Sequence, residues 1–273
     1  MSELIWFEGR WTSTDLIPAS AFKRAWAYGE LIFETFRSDS GCIPFLRRHV
    51  ERLEHSLGLL NSAGIPSGLP TLFQHWAEQA HEQCREPHLA LRVNAYRCGL
   101  GLFDGAADWS FFVLPRVIES AEKMALLPLS VELLPFVDGL IPGRGGMKTS
   151  NYLPYLRGSS AEVNREGVLL GREGQLLDGL RSHLVFQMKS GEYLSPVEEK
   201  GMLRSLSRQR GLDWFRKKGL KIKEGRVLKS ELDRVEFAWA GNAVWGYRPI
   251  SELGGVLLEM RELMPVVEFW NWD

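Results

Sequence analysis

The sequence predicts an α+β fold in which strands follow one another in runs. Three observations carry this. Short apolar segments bounded by Gly, Pro or Ser/Asp clusters outnumber the helical ones, and they do not alternate strictly with helices. The chain has 273 residues, about twice the ~150-residue prior for one domain, and shows no internal repeat. Its 45% hydrophobic content at that length can bury a sizeable core.

Residues 3–9 (ELIWFEG) read as the first strand. Residues 30–46 read as a hairpin, LIFETFR then CIPFL, with Ser38-Asp39-Ser40-Gly41 supplying the turn. Residues 47–62 are predicted helical because Val50, Leu53, Leu57 and Leu60 recur at spacings of three and four. Gly64 and Pro66 stop that helix. A second helix near 70–84 precedes strands at 89–96 and 109–115. The pattern then changes, so residues 1–116 are expected to form a small N-terminal domain, 117–126 a linker and 127–273 a larger C-terminal domain.

The second half opens with a strand at 130–136. A Gly-rich loop, 139–146, runs into Met147-Lys148-Thr149-Ser150-Asn151, and a helix is expected near 152–165. Short strands at 167–171, 175–178, 183–188 and 192–195 are punctuated by Gly171, Gly174 and Gly191. A helix at about 202–217 and strands at 219–224 and 235–240 complete the reading.

Charge and composition exclude several function classes. Lys+Arg 33 against Asp+Glu 34 leaves a formal charge of -1, without the basic excess a nucleic-acid partner requires. No apolar run approaches the ~18–20 residues of a membrane span, so no membrane partner is expected. The opening MSELIWFEGRW lacks a basic start followed by an apolar stretch, so no secretory signal is expected. Cys42, Cys84 and Cys98 form neither a disulfide framework nor a CxxC pair, which suits the cytoplasm. His49, His55, His75, His81 and His88 show no ligand spacing, and no metal site is expected.

The Gly-rich loop before Lys148 fails as a phosphate-binding P-loop, because Met147 separates Gly146 from the lysine. Lys148 itself has two readings. In a packed pocket its pKa would fall and it would hold an aldehyde as a Schiff base; in solvent it is an ordinary loop lysine. Spacing alone favours the solvated reading.

Resemblance changes that weighting. YGELIFETFRSDSGCIPFLRRHVERL (28–53), MKTSNYLPYL (147–156) and EGVLLGREGQLLDGLRSHLVF (166–186) resemble three motifs of the class IV, or fold type IV, pyridoxal-phosphate aminotransferases. That family includes branched-chain and D-amino-acid aminotransferases and aminodeoxychorismate lyase. Two weaker matches, GMLRSLSRQ (201–209) and FAWAGNAVWGYRPI (237–250), follow in the family's order. The resemblance implies a two-domain subunit with pyridoxal 5'-phosphate in the interdomain cleft, and a homodimer.

It also implies roles. Lys148 would carry the cofactor and move the substrate Cα proton. Arg52 would grip the phosphate, and Tyr152 would sit near the phenolic oxygen. Leu206 and Ser207, with Asn242 and Ala243 on a second loop, would cradle the phosphate. Asp178 stands where the family has Glu, to hold a proton on the ring nitrogen. Its arm is shorter by one C–C bond, about 1.5 Å. His183 stands where the family usually has Asn; either a contact supporting the site is altered there or His183 is a packed strand residue, and the packed reading is preferred. Tyr28 and Phe33 are expected to line the substrate pocket, with Arg37 and Arg97 as carboxylate partners. Cys98-Gly99-Leu100-Gly101-Leu102 carries neither the Arg-x-His pair of D-amino-acid aminotransferases nor the Gly-Gly-Arg-Gly-Tyr type loop of aminodeoxychorismate lyases. Transamination of an amino acid or amino-acid-like substrate is the first expectation. Elimination from aminodeoxychorismate, giving 4-aminobenzoate and pyruvate, is the second, and a catalytically impaired cofactor-binding homologue the third.

Overall fold

The computed structural model describes residues 3–18, 23–60, 64–97, 108–134, 146–150, 164–197 and 203–271. The chain divides into two compact units, one of residues 1–118 with 145–152 and the other of 119–144 with 153–273. The short segment around Lys148 therefore groups with the first unit, although it lies well inside the second half of the chain.

The first unit is a five-stranded antiparallel sheet with two helices packed on it. Its strands are β1 (Leu4–Phe7), β2 (Arg10–Ser13), β3 (Leu31–Asp39), β4 (His88–Arg97) and β5 (Trp109–Val117), in the spatial order β2-β1-β5-β4-β3. The short α1 (Lys23–Tyr28) precedes β3, and α2 (Leu46–Leu60) and α3 (Leu69–Cys84) follow it. β3 is rich in aromatic and β-branched residues, which suit a pleated surface. Its partner is β4, with Leu31 opposite Tyr96 and Asp39 opposite His88. The predicted hairpin does not form: only a single bridge joins Asp39 to Cys42. Pro44 has no N–H for a ladder, Phe45 takes a positive φ of 60°, and the chain turns directly into α2.

Val50, Leu53 and Leu57 point from α2 into the core with Ile32, Phe36, Phe73 and Trp76. Leu60, the last member of the predicted stripe, is 44% exposed. Pro70 in the first turn of α3 sits where a missing N–H costs nothing. At the free edge of β3, residues 148–150 pair with it. The Phe33 amide donates to the Lys148 carbonyl at 2.8 Å, and the Ser150 amide donates to the Leu31 carbonyl at 2.9 Å. An extended backbone thus fixes where Lys148 stands along β3.

The second unit is a mixed sheet. Its strands are β6 (Leu129–Leu134), β7 (Arg165–Leu170), β8 (Leu176–Gly179), β9 (His183–Met188), β10 (Tyr193–Pro196), β11 (Ile222–Gly225), β12 (Val235–Asn242), β13 (Gly246–Leu253) and the two-residue β14 (Val256–Leu257). The order is β11-β10-β9-β12-β13-β6-β7-β8, with β14 on β13. Parallel pairs at β10–β11, β13–β6 and β6–β7 sit among antiparallel ones. Helices α4 (Ala121–Leu126), α5 (Leu206–Lys217) and α6 (Val266–Trp270) accompany it. The expected linker 117–126 is therefore largely helical, started by Ser120, whose hydroxyl accepts from the Lys123 amide. Leu129, Val168, Leu184, Phe186, Ile250 and Leu253 form the core. The helix expected near 152–165 and the loop at 98–103 lie almost wholly outside the described residues.

Candidate active site

In the first unit, β3 and α2 converge on a buried ionic cluster. Along one face of β3, Ile32 and Phe36 are core residues and Glu34, between them, is fully buried. Arg52 and His49, three residues apart on α2, meet it there. Arg52 Nε donates to Glu34 Oε1 at 2.6 Å and Nη2 to Oε2 at 2.7 Å. His49 Nδ1 reaches Oε2 at 3.0 Å. Burial alone would push the Glu34 pKa up. The Arg52 charge and the His49 and Arg52 hydrogen bonds outweigh it and hold the carboxyl at about 2.

Lys148 lies beside this cluster. Its Nζ stands 4.8 Å from the centre of the Phe33 ring, and Arg92 covers the same ring at 3.8 Å. Arg92 is itself held by Asn94 Oδ1 at 3.0 Å and Ser150 Oγ at 2.7 Å. As a whole residue Lys148 is half-buried, but its amine is packed deeply enough that burial dominates its ionisation. Burial, with the charges of Arg52 and Arg92 added, lowers the pKa to about 8 against the opposing pull of Glu34. The solvated-loop reading of Lys148 does not survive this environment.

A concave pocket of about 320 Å³ opens near this segment, lined in part by Tyr28, Leu60, Arg97, Met147 and Thr149. Tyr28 is 46% exposed on its rim. Arg97 lines the pocket while its guanidinium pairs with Glu30, Nε at 2.6 Å. Phe33 is buried against the amine and is not among the pocket's lining residues. Arg37 departs from its expected place: it is buried and its Nε lies 2.7 Å from Asp39 Oδ2, at the far end of β3.

In the second unit, Asp178 lies near the end of β8 with its side chain 21% exposed. His183 is buried as a packed strand residue would be, but its Nδ1 also lies 3.2 Å from Asp178 Oδ1. Leu206 and Ser207 open α5, which Ser205 caps by accepting from the Arg208 amide. The Ser207 hydroxyl donates to the Gly241 carbonyl at 2.7 Å, tying the start of α5 to the end of β12. There the Asn242 side chain serves the backbone, donating to the Arg181 carbonyl and accepting from the Val244 and Trp245 amides. The structure thus brings Leu206, Ser207, Asn242 and Ala243 into one neighbourhood, in which the Asn242 side chain is already committed to the backbone. Tyr152 lies outside the described residues.

Sequence reasoning misses Glu34, His49 and Arg92. A signal exists for the first two: a carboxylate on the apolar face of a strand, and a His three residues before an Arg on a helix.

The family model described as amino-transferase class IV matches residues 31–253. Aminodeoxychorismate lyase of Bacillus subtilis (strain 168) is 26% identical over 266 residues, covering 92% of this chain and 86% of the relative. A branched-chain aminotransferase from Thermoproteus uzoniensis, solved with norvaline, superposes with a TM-score of 0.74 at 20% identity, over 99% of this chain and 93% of that one. The branched-chain amino acid aminotransferase of Escherichia coli gives a TM-score of 0.76 at 16% identity, over 94% and 88%. These superpositions establish the fold.

Proposed function

Because the chain belongs to the amino-transferase class IV family, we propose that it binds pyridoxal 5'-phosphate and acts on an amino acid or amino-acid-like substrate, with transamination as its reaction. The observation that carries this is the Lys148 amine, packed beside Arg52 and Arg92 with its pKa lowered to about 8. A partly neutral amine is what condensation with an aldehyde needs. An arginine already fixed by a carboxylate is a rigid fork for phosphate. The residues present therefore fit the cofactor.

In this reading Lys148 holds the aldehyde, and Arg52 with the amides around Leu206, Ser207, Asn242 and Ala243 holds the phosphate. Tyr152 is assigned to the phenolic oxygen and Asp178 to the ring nitrogen. When bound, the cofactor supplies an electron sink for the pair left on the substrate Cα. The chain's own part is proton handling and orientation. Lys148 would serve as the base for the Cα proton once its amine is free of the aldehyde. Phe33 and Arg92 confine the amine to one side. Tyr28 and Arg97 are the substrate-facing residues; Arg97 must exchange or share Glu30 to take a substrate carboxylate. The family resemblance also brings a homodimer into the proposal, and the spacing of Cys42, Cys84 and Cys98 keeps a cytoplasmic setting in it.

Elimination is the second reading, favoured by the curated relative, which is an aminodeoxychorismate lyase. Both begin with loss of the Cα proton and differ in what leaves. A panel of amino donors, followed spectrophotometrically, separates them. Conversion of the bound aldehyde to the amine form, sustained by a keto-acid acceptor, supports transamination. Pyruvate and an aromatic amine released from aminodeoxychorismate without an acceptor support the lyase. Neither activity, with cofactor bound, overturns both.

A further inference from the structure

Three polar side chains form an unbroken line in the second unit. Asp178 lies in β8, His183 opens β9, and Ser195 lies in β10. His183 Nδ1 is 3.2 Å from Asp178 Oδ1, and His183 Nε2 is 3.3 Å from Ser195 Oγ. His183 is 1% exposed and Ser195 fully buried, so the imidazole has no water to turn towards. A carboxylate oxygen accepts from a ring N–H, so Nδ1 is placed to donate to Asp178. In the neutral ring Nε2 then accepts from the Ser195 hydroxyl.

Ser195 has a second acceptor within reach, the Pro196 carbonyl at 3.4 Å. A histidine that only filled space in a core would not need this arrangement. The turn between Asp178 and His183 is also braced. The Gly179 amide donates to the Ser182 carbonyl at 2.8 Å, and Asn242 Nδ2 donates to the Arg181 carbonyl at 3.1 Å.

We propose that His183 is a positioning residue for the ring-nitrogen end of the site. It anchors the Asp178 carboxylate through Oδ1 and turns Oδ2 to the protonated nitrogen of the pyridine ring, with Ser195 holding the imidazole in register. The inference rests on the pyridoxal-phosphate reading and deepens it. Rotation about Cβ–Cγ sets the plane of an aspartate carboxylate, and a partly exposed carboxylate without a neighbour leaves that rotation to water. His183 removes the freedom. On this account Asp178 and His183 form one unit in this chain.

The test compares His183→Phe, His183→Asn and Ser195→Ala with the wild-type holoenzyme. Three quantities are read: the dissociation constant of pyridoxal phosphate, the far-downfield proton resonance of the ring nitrogen, and the separate kcat and KM values. His183→Phe keeps the packing and removes the donor. It is expected to weaken cofactor binding about tenfold, lower kcat more than it changes KM, and broaden or shift the resonance. His183→Asn restores a donor towards Asp178 and is expected to return binding to within about threefold of wild type. Ser195→Ala is expected to shift the resonance. A His183→Phe holoenzyme with wild-type affinity and resonance overturns the proposal. Should that variant fail to fold, an unmoved resonance in Ser195→Ala overturns it instead. Borohydride trapping of the cofactor on Lys148, run on the same samples, separates the two levels. No trapping in the wild type sinks the functional reading. Trapping with no dependence of affinity or resonance on His183 or Ser195 sinks this inference alone.

Discussion

Arg52 meets Glu34 through two parallel contacts, Nε to Oε1 at 2.6 Å and Nη2 to Oε2 at 2.7 Å, inside a protein core. The pair joins helix to strand and at the same time sets the electrostatic level of the neighbouring amine. Burial lowers the Lys148 pKa most; Arg52 lowers it further and Glu34 raises it. Replacing Glu34 by Gln leaves the guanidinium uncompensated. The Lys148 pKa is expected to fall below about 8, by on the order of one pH unit. Capture of pyridoxal phosphate by the apoprotein, timed across pH, measures the inflection. An inflection that stays in place contradicts the coupling.

The same carboxylate makes an acid-stability prediction. Glu34 is held at about 2 in the folded state, below its ordinary 4.5. A depressed carboxylate stabilises the fold fully above the higher value, and that stabilisation drains away as pH falls through the lower one. Wild type and Glu34→Gln should therefore differ most above pH 4.5 and converge towards pH 2. Breaking such a buried pair costs about 3–5 kcal/mol where the difference is full. Urea midpoints over that range give the curve.

Lys148 behaves in the opposite sense. Its amine is held at about 8 in the folded apoprotein against 10.5 ordinarily, so between these values the unfolded chain binds more protons. The lysine's penalty is present below pH 8 and is relieved as pH rises towards 10.5. Lys148→Met should make the apoprotein more stable at neutral pH, on the order of 2 kcal/mol once solvent screening of a half-buried residue is discounted. The gain should shrink above pH 8 in melting-temperature measurements.

Packing between α5 and β13 supplies a prediction independent of charge. A Cβ on Gly211 would collide with the Tyr247 hydroxyl, which donates to the Ser207 carbonyl at 2.9 Å. Gly211→Ala is expected to cost about 1–3 kcal/mol through overpacking. Removing the hydroxyl in Gly211→Ala/Tyr247→Phe should recover part of that loss, since the ring carbon behind it lies 3.2 Å from the same Cβ. Additive effects of the two substitutions, measured by a double-mutant cycle, would contradict the contact.

Local patterns are readable from residues alone, and long-range ones are not. Val50, Leu53 and Leu57 announce α2, which spans Leu46–Leu60 against an expected 47–62. The strand 183–188 agrees end to end. The segment after Ser38-Asp39-Ser40-Gly41 resembles the returning arm of a hairpin, because turn chemistry is local and the actual partner of β3 lies some fifty residues further on. Helix Ala121–Leu126 is hidden in an expected linker, although Ser120 is a sound cap. At the site, motif resemblance points to Lys148, Arg52 and Asp178, whereas Arg92 emerges only when β4, β3 and the segment of Ser150 are brought together. Arg37 shows the converse. A buried arginine in a conspicuous motif is bonded to Asp39, two residues along its own strand.

Reductive trapping tests most directly whether the amine of Lys148 carries the cofactor. The protein is loaded with pyridoxal phosphate, reduced with borohydride, digested and sequenced by mass. A phosphopyridoxyl group on Lys148, with loss of the yellow colour of the loaded protein on reduction, is the expected result. A label on another lysine, or none, would contradict it.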